Sequence, residues 1–382
     1  MKESDNEKIA LAVIYGGDST ERDISVITAV QAMKALKGAY DLYPLMLENG
    51  AFHFVENADE IKSYTDGKTR KKRVYLDKDG VYEIGLLGRK NLFKPDCCLI
   101  CAHGGCGENG GLQGYLDVIG LPYTSAGVKA SATGMDKALS KVVFSSLGLN
   151  VTEYVVVSGF EKDDISAVEN KISYPVIVKP VSQGSSVGIA VANDTNELSE
   201  ALKVALAFDE RAICERALTD FTELNCAVTT KDGKAFPSEL EQPLSWQQFL
   251  SFEEKYLSSG GKLSGGGRIY PANVDERVRE EVRLAAVKAY EGMGAKGIVR
   301  IDFLLDNTDG KVYINEANTV PGSLATYLFE ADGMDYADVV KYVVDDALLR
   351  AEHKKTARFG SNVLDVYGKS SANACKMHGK IL

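Results

Sequence analysis

The chain has 382 residues, 45% of them hydrophobic and 26% charged, and its 54 acidic against 44 basic side chains give a formal net charge of −10. That length exceeds what one hydrophobic core usually organises, so two or three packed domains are expected. The acidic balance argues against a sequence-independent grip on nucleic acid. A charged start, "MKESDNEK", and the lack of any run near the roughly 20 apolar residues of a membrane span point to a soluble cytoplasmic protein.

Residues 9–17, "IALAVIYGG", read as a short buried strand ending in glycines, and "RDISVITAVQAMKAL" (22–36) repeats apolar residues at helical spacing, so a strand, turn and helix open the chain. "YDLYPLML" and "PDCCLICAHGG" predict further strands, with "GGLQGYLDVIGL" a helix after the second. Residues 1–125 are therefore expected to form a parallel sheet covered by helices, with active groups in the loops after its strands. Four of the seven cysteines crowd into "CCLICAHGGC". Cys97, Cys101, Cys106 and His103 offer a metal reading, but the apolar run and the absence of paired CxxC knuckles favour a buried strand in which cysteine is a small hydrophobe. Disulfides are not expected in the cytoplasm.

"ASATGMDKALSKVVFSSLG" predicts one long helix leading into a small α+β unit over residues 126–225. In that unit "YPVIVKPVSQGSSVGIAVAND" is two strands joined by a Gly- and Ser-rich loop, and "TELNCAVTTKDGKAF" carries an Asp-Gly turn. Residues 226–354 add a further hairpin, the Gly-rich "SSGGKLSGGGR", the helix "DERVREEVRLAAVKAYEGMG" and the hairpin "RIDFLLDNTDGKVYINEAN". Glycine's conformational freedom suits a mobile lid at 260–267, against the plainer reading of a surface connection. The polar tail over 355–382, with Cys375 and His378, is read as weakly ordered.

The last hairpin carries chemistry. Strand residues alternate faces, so Glu316 and Asn318 point the same way, and a turn at "NTDGK" brings Asp302 opposite Glu316. Two carboxylates that close repel one another and, buried, would raise at least one pKa unless a cation intervenes; Mg²⁺ suits such an oxygen set. The alternative is an ordinary solvated hairpin. Lys179 ends the strand "YPVIVK" ahead of "PVSQGSSVG", whose small residues let backbone N–H groups approach phosphate, and Lys137 in "GMDKALSK" offers a second ammonium. Metal ligands, two lysines and a flexible Gly loop make a nucleotide triphosphate site without a helix-opening phosphate loop.

Together, "GGDSTERDIS", "HGGCGENGGLQGYLDVIGLPYTSAGVKASATGMDK", "PVIVKPVSQGSSVG", "EEKYLS", "RIDFLL" and "NEANTVPG" resemble, in order and spacing over about residues 8–350, the D-alanine-D-alanine ligases of the ATP-grasp superfamily. The resemblance implies an ATP-grasp fold, α/β and α+β, with a Rossmann-like N-terminal parallel-sheet domain, and ATP-dependent ligation of two D-alanines through an acylphosphate, for peptidoglycan precursors. It implies that Asp302, Glu316 and Asn318 hold two Mg²⁺ (or Mn²⁺) and that Lys137, Lys179 and Lys255 meet the ATP phosphates. Glu215, Leu218, Glu223 and the Ala217 backbone stand where the family holds adenine and ribose. Arg300 and the Gly322 N–H match the oxyanion positions, Glu21 the partner of the first substrate's ammonium, and His103 a group near that substrate. Ser185 and Tyr256 match the pair that, with Glu21, joins the phosphate loop to the lid. "EEKYLS" resembles the D-alanine-using type, and the family is commonly dimeric through its N-terminal region.

One departure stands out. After "NTVPG" many relatives carry a hydroxyl, histidine and serine segment for the carboxylate of the second substrate, whereas this chain has "SLATYLFE", with Thr326 and Tyr327 in the histidine and serine positions. Tyr327 is the substrate-binding candidate there, and the departure keeps open a different second substrate, D-serine or a D-hydroxy acid. A nucleotide-binding protein without turnover would be expected to lack a metal ligand or Arg300; all are present. An oxidoreductase would need a GxGxxG after the first strand, which is absent.

Overall fold

A computed structural model describes residues 8–66, 69–244 and 267–356 of the chain. The first sheet has seven strands, β1 (Ala10–Gly16), β2 (Asp41–Glu48), β3 (Ala51–Val55), β4 (Lys71–Asp77), β5 (Gly80–Gly85), β6 (Gly88–Phe93) and β7 (Cys97–Ile100), in the order β6-β5-β4-β3-β2-β1-β7. β1 runs parallel to β2 and β7 on either side. Its apolar run needs no alternation because both faces are covered. From β2 outward the pairing is antiparallel. The expected parallel sheet is thus confined to three strands, and an antiparallel meander extends it. Its outermost strand is largely solvent-exposed, so it lacks the buried apolar run that reveals an interior strand.

Cys97, Cys98 and Cys101 lie in the core, as the apolar reading of that segment predicts, and burial pushes the Cys97 thiol up to about 12. The same core takes in Val339, Val340, Val343, Val344 and Ala347 from the helix Tyr336–Thr356, so this late helix packs back onto the first sheet.

The second sheet, β8 (Tyr154–Val157), β9 (Val176–Pro180), β10 (Ala190–Ala192) and β11 (Ala212–Arg216), is antiparallel in the order β10-β9-β11-β8. The third joins β12 (Phe221–Lys231), β13 (Lys234–Pro243), β14 (Arg268–Ile269), β15 (Val299–Asp306) and β16 (Val312–Asn318) in the order β14-β13-β12-β15-β16, packed against the helix Glu276–Gly292. The predicted Asp-Gly turn joins β12 to β13 with φ of 51° at Asp232 and 75° at Gly233, the left-handed pair that a two-residue hairpin requires. Among the described residues no helix is long and apolar enough to cross a membrane.

The single long helix expected over 130–148 is two helices, Val128–Met135 and Lys137–Ser146. Asp136 between them is extended (φ −89°, ψ 103°) and caps the second helix by accepting from the Leu139 N–H. Arg211 fixes the same carboxylate at 2.6 Å. The break places Lys137 at a helix N-terminus. Gly134 then lets the first helix lie against β16, since a Cβ there would sit 2.9 Å from the Ala317 carbonyl oxygen.

Candidate active site

The register of the last hairpin is the one expected: Asp302 pairs with Glu316 and Arg300 with Asn318. Asp302 is buried, at 4% exposure. Arg300 grips it with a fork, Nε to Oδ1 at 2.7 Å and Nη2 to Oδ2 at 2.8 Å, while the Asn318 amide donates to Oδ2 at 2.9 Å. Burial, with Glu316 adding to it, nevertheless holds the Asp302 carboxyl above its ordinary range. Two adjacent carboxylates and an amide form an oxygen-rich set, with the Arg300 guanidinium on Asp302 and an ammonium, Lys137 Nζ, 3.7 Å from Glu316. A hard divalent cation fits that set.

A bulge after Asp302 shifts the register, and Asn315 on the facing strand turns its amide oxygen to Lys179 Nζ at 3.4 Å. Lys137 Nζ reaches the Gln183 carbonyl at 2.5 Å and lies 3.7 Å from Glu316 Oε2. Both predicted lysines therefore stand beside the carboxylate hairpin. The Glu215 side chain, by contrast, is buried in ion pairs: Lys179 Nζ is 3.1 Å from Oε1 and Lys141 Nζ 2.9 Å from Oε2, with Thr152 donating to Oε2 at 2.7 Å. Burial works to raise the Glu215 pKa, but the two lysines outweigh it and hold the carboxyl well below its usual range. Ala217 and Leu218 are half-buried in the crossing between the second and third sheets, the Ala217 N–H bonded to the Pro175 carbonyl at 3.1 Å, and Glu223 lies on β12.

On the N-terminal side, Glu21 follows β1 and His103 follows β7, at the carboxyl ends of parallel strands. Ser185, in the loop after β9 with φ of 50°, donates its hydroxyl to Glu21 Oε1. The Glu21 carboxylate lies against two glycines, with 2.6 Å between its Oε2 and the place a Cβ would take on Gly104 and 3.2 Å on Gly184. His103 Nδ1 lies 2.6 Å from the Val320 carbonyl and Nε2 2.8 Å from the Thr28 hydroxyl. A carbonyl only accepts, so Nδ1 carries the proton and Nε2 takes that of Thr28. Burial, aided by Arg300, pushes the His103 pKa down to about 4, which keeps the ring neutral. Thr28 Oγ1 also receives the Ser323 N–H at 3.2 Å, so His103 and Thr28 together anchor the segment carrying Gly322. That segment includes Ser323, Leu324 and Ala325, three non-glycine residues in the left-handed region. Glu108 adds a third anchor, accepting from the Gly104 N–H at 3.0 Å and the Val320 N–H at 3.1 Å. Burial, with the nearby charge of Glu21, raises its carboxyl to about 7.

Tyr327 is close enough to Arg300 to feel its charge, and its hydroxyl donates to Glu241 Oε1 at 2.8 Å. The Asn225 amide donates to the same oxygen at 3.1 Å, and the Arg268 guanidinium lies over the tyrosine ring at 4.3 Å. Lys255, Tyr256 and the Gly-rich segment fall outside the described residues. Sequence reasoning did not single out Lys141, Glu108, Thr28 or Glu241. Lys141 was within reach, one helical turn after Lys137 and so on the same face. Nothing local marks Glu241, whose partners are remote in the chain.

Three sheets, with carboxylates on one hairpin, lysines from the adjoining sheet and helix, and an acidic loop from the parallel strands facing them, define an ATP-grasp protein with a pre-ATP-grasp N-terminal domain. Family models described as D-ala D-ala ligase N-terminus and D-ala D-ala ligase C-terminus match residues 10–126 and 143–345, and the chain belongs to the D-alanine-D-alanine ligase family. It is 30% identical over 361 residues to the D-alanine--D-alanine ligase of Thermosipho melanesiensis, an alignment covering 93% of this chain and 98% of that one. Among solved structures it resembles the D-alanine-D-alanine ligase of Coxiella burnetii (TM-score 0.75, 23% identity, 96% of this chain and 99% of that one). It also resembles the VanG D-Ala:D-Ser ligase of Enterococcus faecalis (TM-score 0.76, 25% identity, 89% and 99%).

Proposed function

We propose that this chain is an ATP-dependent ligase that joins two D-alanines into D-alanyl-D-alanine for peptidoglycan precursors, acting in the cytoplasm as a homodimer. The observation that carries the reading is the convergence of Asp302, Glu316 and Asn318 with Lys137 and Lys179, facing the Glu21–Ser185 pair. Adenine and ribose lie along Glu215, Ala217, Leu218 and Glu223, and the phosphates run toward Lys137 and Lys179, a role Lys255 would share. Asp302, Glu316 and Asn318 would hold two Mg²⁺ (or Mn²⁺), which neutralise charge on the transferring phosphoryl group.

Glu21, held by Ser185, receives the ammonium of the first D-alanine, and His103 stays neutral behind it, fixing the Gly322 segment. A carboxylate oxygen of that D-alanine attacks the γ-phosphorus and ADP leaves, giving an acylphosphate; positioning and charge neutralisation carry this step. The free amine of the second D-alanine attacks the acyl carbon, Arg300 and the Gly322 N–H receive the oxyanion, and phosphate departs. Tyr256 would close the link from Glu21 and Ser185 to the lid. Because phosphate leaves with an oxygen that began on D-alanine, ¹⁸O in the substrate carboxylate should appear in the released phosphate. Unlabelled phosphate would rule out the acylphosphate route.

A second reading keeps the mechanism and changes the acceptor to D-serine or a D-hydroxy acid. It is favoured by the residue itself: Tyr327, its hydroxyl engaged by Glu241, stands in place of a short hydroxyl residue.

A further inference from the structure

Lys141 has no part in the chemistry above, yet it is an almost completely buried ammonium. Its side chain is 1% exposed, against 10% for Lys179 and 3% for Glu215. Lys141 follows Lys137 by four residues on one helix, so the two point to the same side, Lys137 toward Gln183 and Glu316, Lys141 inward. Its Nζ meets Glu215 Oε2 at 2.9 Å and the Thr152 hydroxyl at 3.1 Å, and the Thr152 hydroxyl donates a hydrogen bond to that same Glu215 oxygen. The other oxygen, Oε1, is left to Lys179 at 3.1 Å.

Two ammonium groups thus share one carboxylate, and one positive charge is left over. Lys141 is sealed in and cannot reach a ligand. The surplus therefore sits on Lys179, whose remaining hydrogen bond among the described residues is the longer one to Asn315 at 3.4 Å. Without Lys141, Glu215 and Lys179 would form a closed one-to-one ion pair in a buried setting, where such a pair is tight and nearly neutral to its surroundings.

We infer that Lys141 is a positioning residue for the nucleotide: it neutralises Glu215, so that Lys179 keeps an uncommitted positive charge for the ATP phosphates. This rests on the reading that Lys179 meets those phosphates.

The test uses the full chain and four forms of it, Lys141→Met, Glu215→Gln, the two combined, and Lys179→Met, titrated with Mg²⁺-ATP by calorimetry and assayed for KM. Lys141→Met should weaken ATP binding by about 10- to 100-fold, the range for a charge-assisted contact, while the KM for D-alanine stays within about threefold. With the carboxylate gone Lys141 has nothing to neutralise, so the double variant should bind ATP within about threefold of Glu215→Gln, whatever Glu215 itself adds to binding. A purely structural role for Lys141 predicts the same loss in both backgrounds. Native affinity in Lys141→Met, or a double variant more than about tenfold weaker than Glu215→Gln, overturns the inference. Should Lys141→Met fail to fold, the comparison of the double variant with Glu215→Gln decides alone by the same margin. Unchanged affinity in Lys179→Met would instead remove the reading beneath it.

Discussion

Replacing Arg300 by Met should expose how the carboxylate hairpin is held together. The guanidinium makes two charge-assisted hydrogen bonds to Asp302, at 2.7 and 2.8 Å, and that carboxylate is 4% exposed with Glu316 paired beside it. Removing one partner of a buried pair strands the other, at about 3–5 kcal/mol. Burial and Glu316 already hold the Asp302 carboxyl above its ordinary range, and losing Arg300 raises it further. A carboxyl raised in the folded state binds more protons there than in the unfolded chain, so its penalty grows as pH rises and fades as pH falls. Urea unfolding of Arg300→Met and the parent, without divalent ions, should therefore differ by about 3–5 kcal/mol at pH 8 and by clearly less at pH 5. Added Mg²⁺ should also narrow the gap, because a cation can stand in for the lost charge. A gap under about 1 kcal/mol, the same at both pH values, would refute the picture of Arg300 as the counter-charge of a buried acid.

Ser185→Ala removes the hydroxyl donor to Glu21 and should lower kcat/KM for D-alanine by about 10- to 100-fold with little change in thermal stability, because the loop is half-buried; steady-state kinetics and a melting curve check both. His103 and Glu108 make opposing contributions to stability with pH. His103, depressed to about 4, stabilises above its unfolded pKa near 6.5 and loses that stabilisation as pH falls; Glu108, raised to about 7 from 4.5, penalises the fold increasingly as pH rises through the same window. The parent should be nearly flat between pH 4.5 and 6.5, and Glu108→Gln should unmask a rise of about 3 kcal/mol from His103 across the window, measured by urea unfolding. Tyr327→Phe deletes a hydroxyl already bonded to Glu241, so the KM of the second D-alanine should move by less than about threefold; a tenfold rise would mean that the hydroxyl itself binds substrate.

What could be read in the sequence depended on how far apart the interacting residues lie. The carboxylate hairpin was legible because strand alternation and a short turn set its register within one local segment, and Asp302 does face Glu316. The β1 strand, the helix after it and the Asp-Gly turn were legible for similar local reasons. The break at Asp136 was passed over because apolar residues keep their helical spacing across it, although Asp is a favoured N-cap. The helix Tyr336–Thr356 completes a core begun more than three hundred residues earlier, and no local pattern announces such packing. Glu215 shows the same limit within the site: its position suggested adenine, while its side chain is committed to two lysines from other elements.

The most direct test of the account is ATP turnover by the purified protein with Mg²⁺ and D-alanine as the only amino acid, products identified by mass. D-alanyl-D-alanine is expected, with one ADP and one phosphate released per dipeptide. Phosphate release that begins only when D-serine or D-lactate is added, or none with any pair, would contradict it.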